Sequence, residues 1–172
     1  MRQAVDGVAP TVHESAYVHP EATLIGDVTL EAETSVWPGV VLRGDEASIV
    51  LREGTNVQDN AVCHERVEIG PYATVGHSAI VHNCTVGERA LVGMNAVVLD
   101  GSTVGDGAVV AAGSVVTGGT EIAPNAMVAG TPASVIKEDV GDAGWGAAAD
   151  RYVDRKETYR ETAERLDPDG PT

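Results

Sequence analysis

A parallel β-helix of six-residue repeats, followed by one α-helix, is the architecture this sequence predicts. Three observations carry that expectation. An aliphatic residue returns every six positions at Val86, Val92, Val98, Val104, Val110, Val116, Ile122 and Val128. Four places after each stands a small or turn-compatible residue: Ala90, Ala96, Ser102, Ala108, Ser114, Thr120, Ala126 and Pro132. The apolar composition is strand-like and slender, with 27 Val and 23 Ala against 7 Leu and no Phe. Helical cores draw on Leu, whereas β-branched side chains suit a pleated surface. A repeat of this length gives one short strand and one bend, and three repeats close a triangular coil of about 18 residues.

The elements follow in chain order. A first block runs Val12, Val18, Leu24, Leu30, Val36 and Leu42, with Ile25-Gly26 offering a competing phase. Between Leu42 and Leu51 the register slips by three residues, and the slip contains Arg43-Gly44-Asp45-Glu46. The frame resumes at Leu51, Val57, Cys63, Ile69 and Val75, and the repeat from Val81 is one residue short before Val86 takes over. Residues 12–133 thus make about seven coils. Coils of this kind resemble the left-handed parallel β-helix, an exception to right-handed crossover. The period ends near Lys137, which gives a β-helix domain over 1–137. Gly141, Gly144 and Gly146 mark 138–146 as a linker. Ala148, Tyr152, Tyr159, Ala163 and Leu166 fall on one helical face, predicting a helix over 147–166 that stops before Pro168 and leaves 167–172 as a tail.

The net charge is −15, and only two of eleven basic residues are lysine. That balance speaks against nucleic-acid binding and against adsorption to an anionic membrane. An acidic, lysine-poor surface suits molar salt, where like charges are screened within about 3 Å, so a salt-adapted microbe is the expected source. No apolar run approaches the ~20 residues of a membrane span, and the first ten residues lack a secretory pattern, so a cytoplasmic protein is expected. Cys63 and Cys84 are too few for a disulfide framework, and Cys63 sits at an inward position, as core.

Three of the five histidines stand out. His64 and His82 are 18 residues apart, one full coil, and each follows an inward residue (Cys63, Val81). They should lie in register about one strand spacing apart, close enough to tilt onto one ion. His77 sits one place later in its repeat and should leave the prism elsewhere. A neighbouring copy could present its own His77 to the pair, and three-fold symmetry would close such a ring. His13 and His19 have no third partner and read as inert.

The stretches Val36-Trp37-Pro38, Leu42-Arg43-Gly44-Asp45, Asn56-Val57-Gln58-Asp59-Asn60, His64, Val75-Gly76-His77-Ser78-Ala79-Ile80-Val81-His82, Val92-Gly93-Met94 and Ala129-Gly130-Thr131-Pro132 together resemble the gamma-class carbonic anhydrase family. The likeness covers about residues 10–137. It implies a homotrimer of left-handed β-helices with His64 and His82 from one chain and His77 from the next holding Zn²⁺, or Fe²⁺ or Co²⁺. It implies a lyase that hydrates CO2 to bicarbonate with metal-bound hydroxide. By the same resemblance Gln58 and Asn56 orient water or CO2, Glu46 relays protons, and Arg43, Asp45 and Asp59 join subunits at the site. Turn chemistry for Asn56 and Gln58, and a plain acidic surface for Glu46, are the competing readings. Two family features are missing. Only Glu65, Arg66, Val67 and Glu68 separate His64 from Ile69, so there is no room for the acidic loop of some members. Met127-Val128-Ala129 stands where some relatives carry a Tyr. Two other functions fit the same scaffold: an acyltransferase or acyl-CoA thioesterase, and a non-catalytic metal-binding or assembly trimer.

Overall fold

A computed structural model describes residues 1–141, 147–164 and 166. The described chain winds into a left-handed parallel β-solenoid of about seven turns with one C-terminal helix. Its three faces follow from the repeat. One face stacks Thr74–Val75, Leu91–Val92 and Val109–Val110 in parallel register, and the strands Tyr17–Val18, Ser35–Val36 and Asn56–Val57 extend it toward the N-terminus. The other two faces belong to one sheet, because the long strands Thr23–Leu30 and Val41–Leu51 bend around a corner and pair on both sides of it. Val41–Leu42–Arg43 pair with Val62–Cys63–His64, whereas Ile49–Val50–Leu51 pair with Val67–Glu68–Ile69.

The inward positions make the core. Leu24, Leu42, Val57, Cys63, Val75, Val81, Val92 and Val98 are fully buried, which fixes the phase of the first block and removes the Ile25 alternative. The small residue four places on is also buried, as at Ala90, Ala96 and Ala108, so anything larger would collide inside the narrow prism. The bend before it holds one residue in the left-handed region: Arg89 (φ 52°), Asn95 (φ 56°), Gly101 (φ 70°) and Asn125 (φ 59°) occupy equivalent places. Gly and Asn adopt that conformation at least cost.

Both irregularities of the period are visible. Gly26 pairs with Gly44 but Val28 pairs with Ile49, so three extra residues are absorbed after Gly44. Val81 lies opposite Cys63 but Val98 opposite Val81, one residue short of the usual step. At the C-terminal end, Ala133–Lys137 folds back antiparallel on Met127–Gly130. Pro132 therefore stands exposed in the hairpin and is not a coil residue.

The helix spans Ala147–Thr162, ending short of the expected 166. Ala149 and Lys156 are its buried residues, while Ala163 is exposed and Leu166 is 80% exposed. The expected apolar face is thus rotated and shortened. Ring stacking decides the rotation: Trp37 lies 5.2 Å from Tyr152 and 4.9 Å from Tyr159, centroid to centroid, both edge-on. Lys156 Nζ reaches Glu33 Oε2 at 2.9 Å, and Arg160 Nη2 donates to the carbonyls of Ser15 and Ala16 at 2.9 and 3.1 Å. The expected linker from 142 to 146, and the tail, lie outside the described residues. No helix among the described residues is long and apolar enough to cross a membrane.

Candidate functional site

Parallel stacking aligns side chains one coil apart, and this builds a polar column on one corner. Arg43, His64 and His82 are successive partners across three strands. His64 Nδ1 lies 3.2 Å from His82 Nε2, with ring centroids 5.1 Å apart. Two donors bound to one ion at about 2.0–2.1 Å stand about 2.8–3.4 Å apart in octahedral or tetrahedral geometry, so this separation is compatible with two ligands of one ion and equally with an N–H···N hydrogen bond between the rings. The outer nitrogens face carboxylates. His82 Nδ1 is 2.5 Å from Asp100 Oδ1, and His64 Nε2 is 3.6 Å from Asp45 Oδ1. The second contact is too long for a hydrogen bond, and His64 Nε2 is buried with no partner. Carboxylates behind ligating imidazoles are the usual way to fix ring orientation and raise donor strength. Glu65 joins the cluster, its Oε1 3.9 Å from His82 Nε2, and His64, Glu65 and His82 form the one group of potential ligands among the described residues.

The three-residue insertion after Gly44 places Asp45 beside this column. Arg43 Nη1 donates to both Asp45 oxygens, at 2.9 and 3.2 Å. The guanidinium holds the Asp45 carboxyl below its ordinary range. Glu46, the expected proton relay, is exposed on the same strand, and no contact ties it to the histidine pair.

A second set of polar groups lies elsewhere on the prism. Asn56 is fully buried and donates from Nδ2 to Thr74 Oγ1 at 2.9 Å, while Gln58 Nε2 donates to Asn56 Oδ1 at 3.1 Å. His77 Nδ1 is 2.9 Å from Asp59 Oδ2, again across one coil. Gln58 and His77 line one trench with Met94, Tyr152, Arg151 and Arg155. Within one chain, therefore, His64 and His82 come together, and His77 with Asn56, Gln58 and Asp59 forms a separate group.

His13 and His19 serve turns. The His13 ring Nδ1 lies 2.9 Å from Ser15 Oγ, and that of His19 accepts from the Glu21 amide at 3.2 Å. Both cysteines are buried free thiols. Burial pushes Cys63 up, and it pushes Cys84 up to about 12. Asp100, Arg151 and Arg155 were not singled out in the sequence. Asp100 continues the 18-residue step from His64 through His82, a signal that was there to read.

Comparison with known proteins shows what the chain is similar to. Residues 83–118 match the signature described as bacterial transferase hexapeptide (six repeats). The carnitine operon protein CaiE of Citrobacter koseri is 43% identical over 143 residues, which is 81% of this chain and 72% of that protein. The CaiE protein of Escherichia coli O157:H7 is 41% identical over 95 residues, so the match spans about half of that relative, 48%. A hexapeptide transferase family protein from Anaplasma phagocytophilum superimposes with a TM-score of 0.89 at 36% identity, covering 92% of this chain and 97% of that one. A putative acetyltransferase from Bacillus cereus superimposes with a TM-score of 0.86 at 30% identity, covering 93% and 96%. These relatives overturn the expected carbonic anhydrase lyase, because transferase, acetyltransferase and carnitine-operon proteins point to acyl transfer or a CaiE-like role. With a coil-for-coil match along nearly all of a transferase-family protein, the chain belongs to the hexapeptide-repeat transferase family.

Proposed function

We propose that the chain transfers acyl groups carried as coenzyme A thioesters, at a divalent-metal centre completed between copies of a homotrimer. The observation that supports the centre most directly is the 3.2 Å separation of the His64 and His82 nitrogens, with Asp100 on the far side of His82. Zn²⁺, Fe²⁺ or Co²⁺ suits this imidazole set. In the trimer His77 of a neighbouring copy supplies the third imidazole, and Gln58 and Asn56 come with it. Arg43, Asp45 and Asp59 lie where the two groups meet.

A cation held by His64, His82 and a neighbouring copy's His77 would supply Lewis-acid polarisation of the thioester carbonyl. The chain's own groups do the rest. Asp100 fixes the His82 tautomer with its Nδ1 proton directed outward. Gln58, whose Nε2 is committed to Asn56, presents its carbonyl oxygen to the acceptor nucleophile. Glu65 takes the proton from the nucleophile as the new acyl bond forms and the carbon–sulfur bond breaks, then returns it to the departing thiolate. An acyl-CoA and a nucleophile H–Nu thus become acyl–Nu and free CoA thiol.

The test is release of CoA thiol from acetyl-CoA and longer acyl-CoAs, with Zn²⁺-, Fe²⁺- or Co²⁺-loaded protein and amine, hydroxyl or water acceptors. A His82→Ala control runs alongside. Thiol release lost in the control is the expected result. Metal-loaded protein that releases no thiol with any acceptor would overturn the proposal.

A further inference from the structure

Beside His77 the molecule carries a trench of about 490 Å³ between the solenoid face and the C-terminal helix. That is the size of a small-molecule site. Its floor is apolar and runs across successive coils through Leu91, Val109, Ala112 and Met127. Met94 on its border is 53% exposed, an unusual position for a large apolar side chain in so acidic a protein. Gln58 and His77 also line it, which connects the trench to the proposed acyl-transfer site.

The helix contributes two cations. Arg151 and Arg155 are one helical turn apart, so they project from the same side, and both border the trench. Arg155 lies 5.7 Å from the Tyr152 ring centroid. Neither arginine forms an ion pair among the described residues, although carboxylates are plentiful on this chain of net charge −15. Three neighbouring acids are engaged elsewhere: Asp150 with Arg89 at 3.5 Å, Glu157 with Arg160 at 3.1 Å, and Asp59 with His77 at 2.9 Å. Two guanidinium groups without an ion pair among the described residues, over an apolar floor, complement a ligand with an apolar body and an anionic group.

From this complementarity we infer that the trench binds an amphiphilic anion, and that Arg151 and Arg155 hold its phosphate while Leu91, Val109, Ala112 and Met127 take its chain. The inference rests on the acyl-transfer reading and names its substrate class: a thioester whose acyl chain is apolar and long enough to fill the trench. In that thioester the acyl carboxyl is consumed in the carbon–sulfur bond, so the anion held is a phosphate of coenzyme A, and a free carboxylate is present only in the hydrolysed acid.

Titration calorimetry of the full chain tests this with octanoyl-CoA, free CoA and octanoate. Octanoyl-CoA should bind at least about tenfold more tightly than CoA. The R151Q/R155Q double variant should weaken octanoyl-CoA by roughly tenfold or more. Free CoA should weaken by the same factor, because its phosphates are the anion held; octanoate weakening in place of CoA would show that the trench holds the free acid and not the thioester. Ala112→Phe, at an exposed position, should erase the advantage of octanoyl-CoA over CoA without changing sedimentation. Equal affinities for octanoyl-CoA and CoA in the wild type, or an unchanged dissociation constant in the double variant, would overturn the inference. So would an Ala112→Phe protein that changes its oligomeric state and keeps its binding, since the trench would then be a contact between copies. Chain-selective, arginine-dependent binding without thiol release would sink the catalytic reading and leave the trench standing.

Discussion

Asp100 provides the sharpest test of the histidine pair. Its Oδ1 lies 2.5 Å from His82 Nδ1, so the carboxylate fixes the tautomer that turns Nε2 toward His64. Outer carboxylates of this kind are worth about 10–100-fold in metal affinity, or about 1.4–2.8 kcal/mol. The Asp100 side chain is 61% exposed, so water screens its charge, and loss of the charge alone belongs at the lower end. Asp100→Asn keeps an acceptor and loses the charge, and should weaken Zn²⁺ or Co²⁺ binding about tenfold. Asp100→Leu loses both and should approach the upper end, about 100-fold. Competition against a chromophoric chelator gives the affinities, and the visible spectrum of the Co²⁺ form reports the donor set. Wild-type affinity in Asp100→Leu would refute the orienting role. Equal losses in both variants would show that charge, and not tautomer, is what matters.

Other outcomes follow from the same structure. His77→Ala should strip the metal even though His77 stands outside the His64–His82 cluster; stoichiometric metal in that variant would rule out a shared centre. Lys156 is fully buried and its Nζ is 2.9 Å from Glu33, so Lys156→Ala should cost about 1–3 kcal/mol in denaturant unfolding, whereas Lys156→Met should come near neutral. Lys156 and Ser15 hold the Glu33 carboxyl below its ordinary 4.5. A lowered folded value means that this stability is present above pH 4.5 and is lost as pH falls further, so acid should release the helix first, read as Trp37 fluorescence, and Glu33→Gln should flatten the dependence. Burial keeps both thiols protonated, with Cys84 pushed up to about 12, so neither should react with a thiol reagent at pH 8 until the chain unfolds.

What the sequence made legible was whatever depends on period. Inward residues such as Val98 and Val104, the three-residue slip after Gly44, and the opposition of His64 to His82 all follow from counting, because in a parallel coil the count is the geometry. The helix resisted the same treatment. Its docking depends on Trp37, Glu33 and Ser15, residues that lie more than a hundred positions away, so no local pattern announces that Lys156 is buried and Leu166 is not. Arg151 and Arg155 were invisible for the same reason, since the trench they border exists only once the helix is laid on the prism. The reaction is not legible in the same way, because the polar pattern around His64, His77 and His82 describes a site without naming its substrate, whereas the family rests on relatives that match nearly the whole chain.

The histidine column has a mechanical consequence. Backbone hydrogen bonds hold adjacent coils about 4.8 Å apart, and no side-chain change can stretch that spacing. His64 and His82 therefore sit on a rigid ruler and adjust only by tilting their rings, which brings their nitrogens to 3.2 Å. The pair offers imidazole nitrogens, which suit an ion such as Zn²⁺, whereas Ca²⁺ demands six to eight oxygens. The main chain thus fixes where the two rings start and leaves ring tilt as the freedom by which the pair meets a third group, and that constraint should persist through any surface change that leaves the coils stacked.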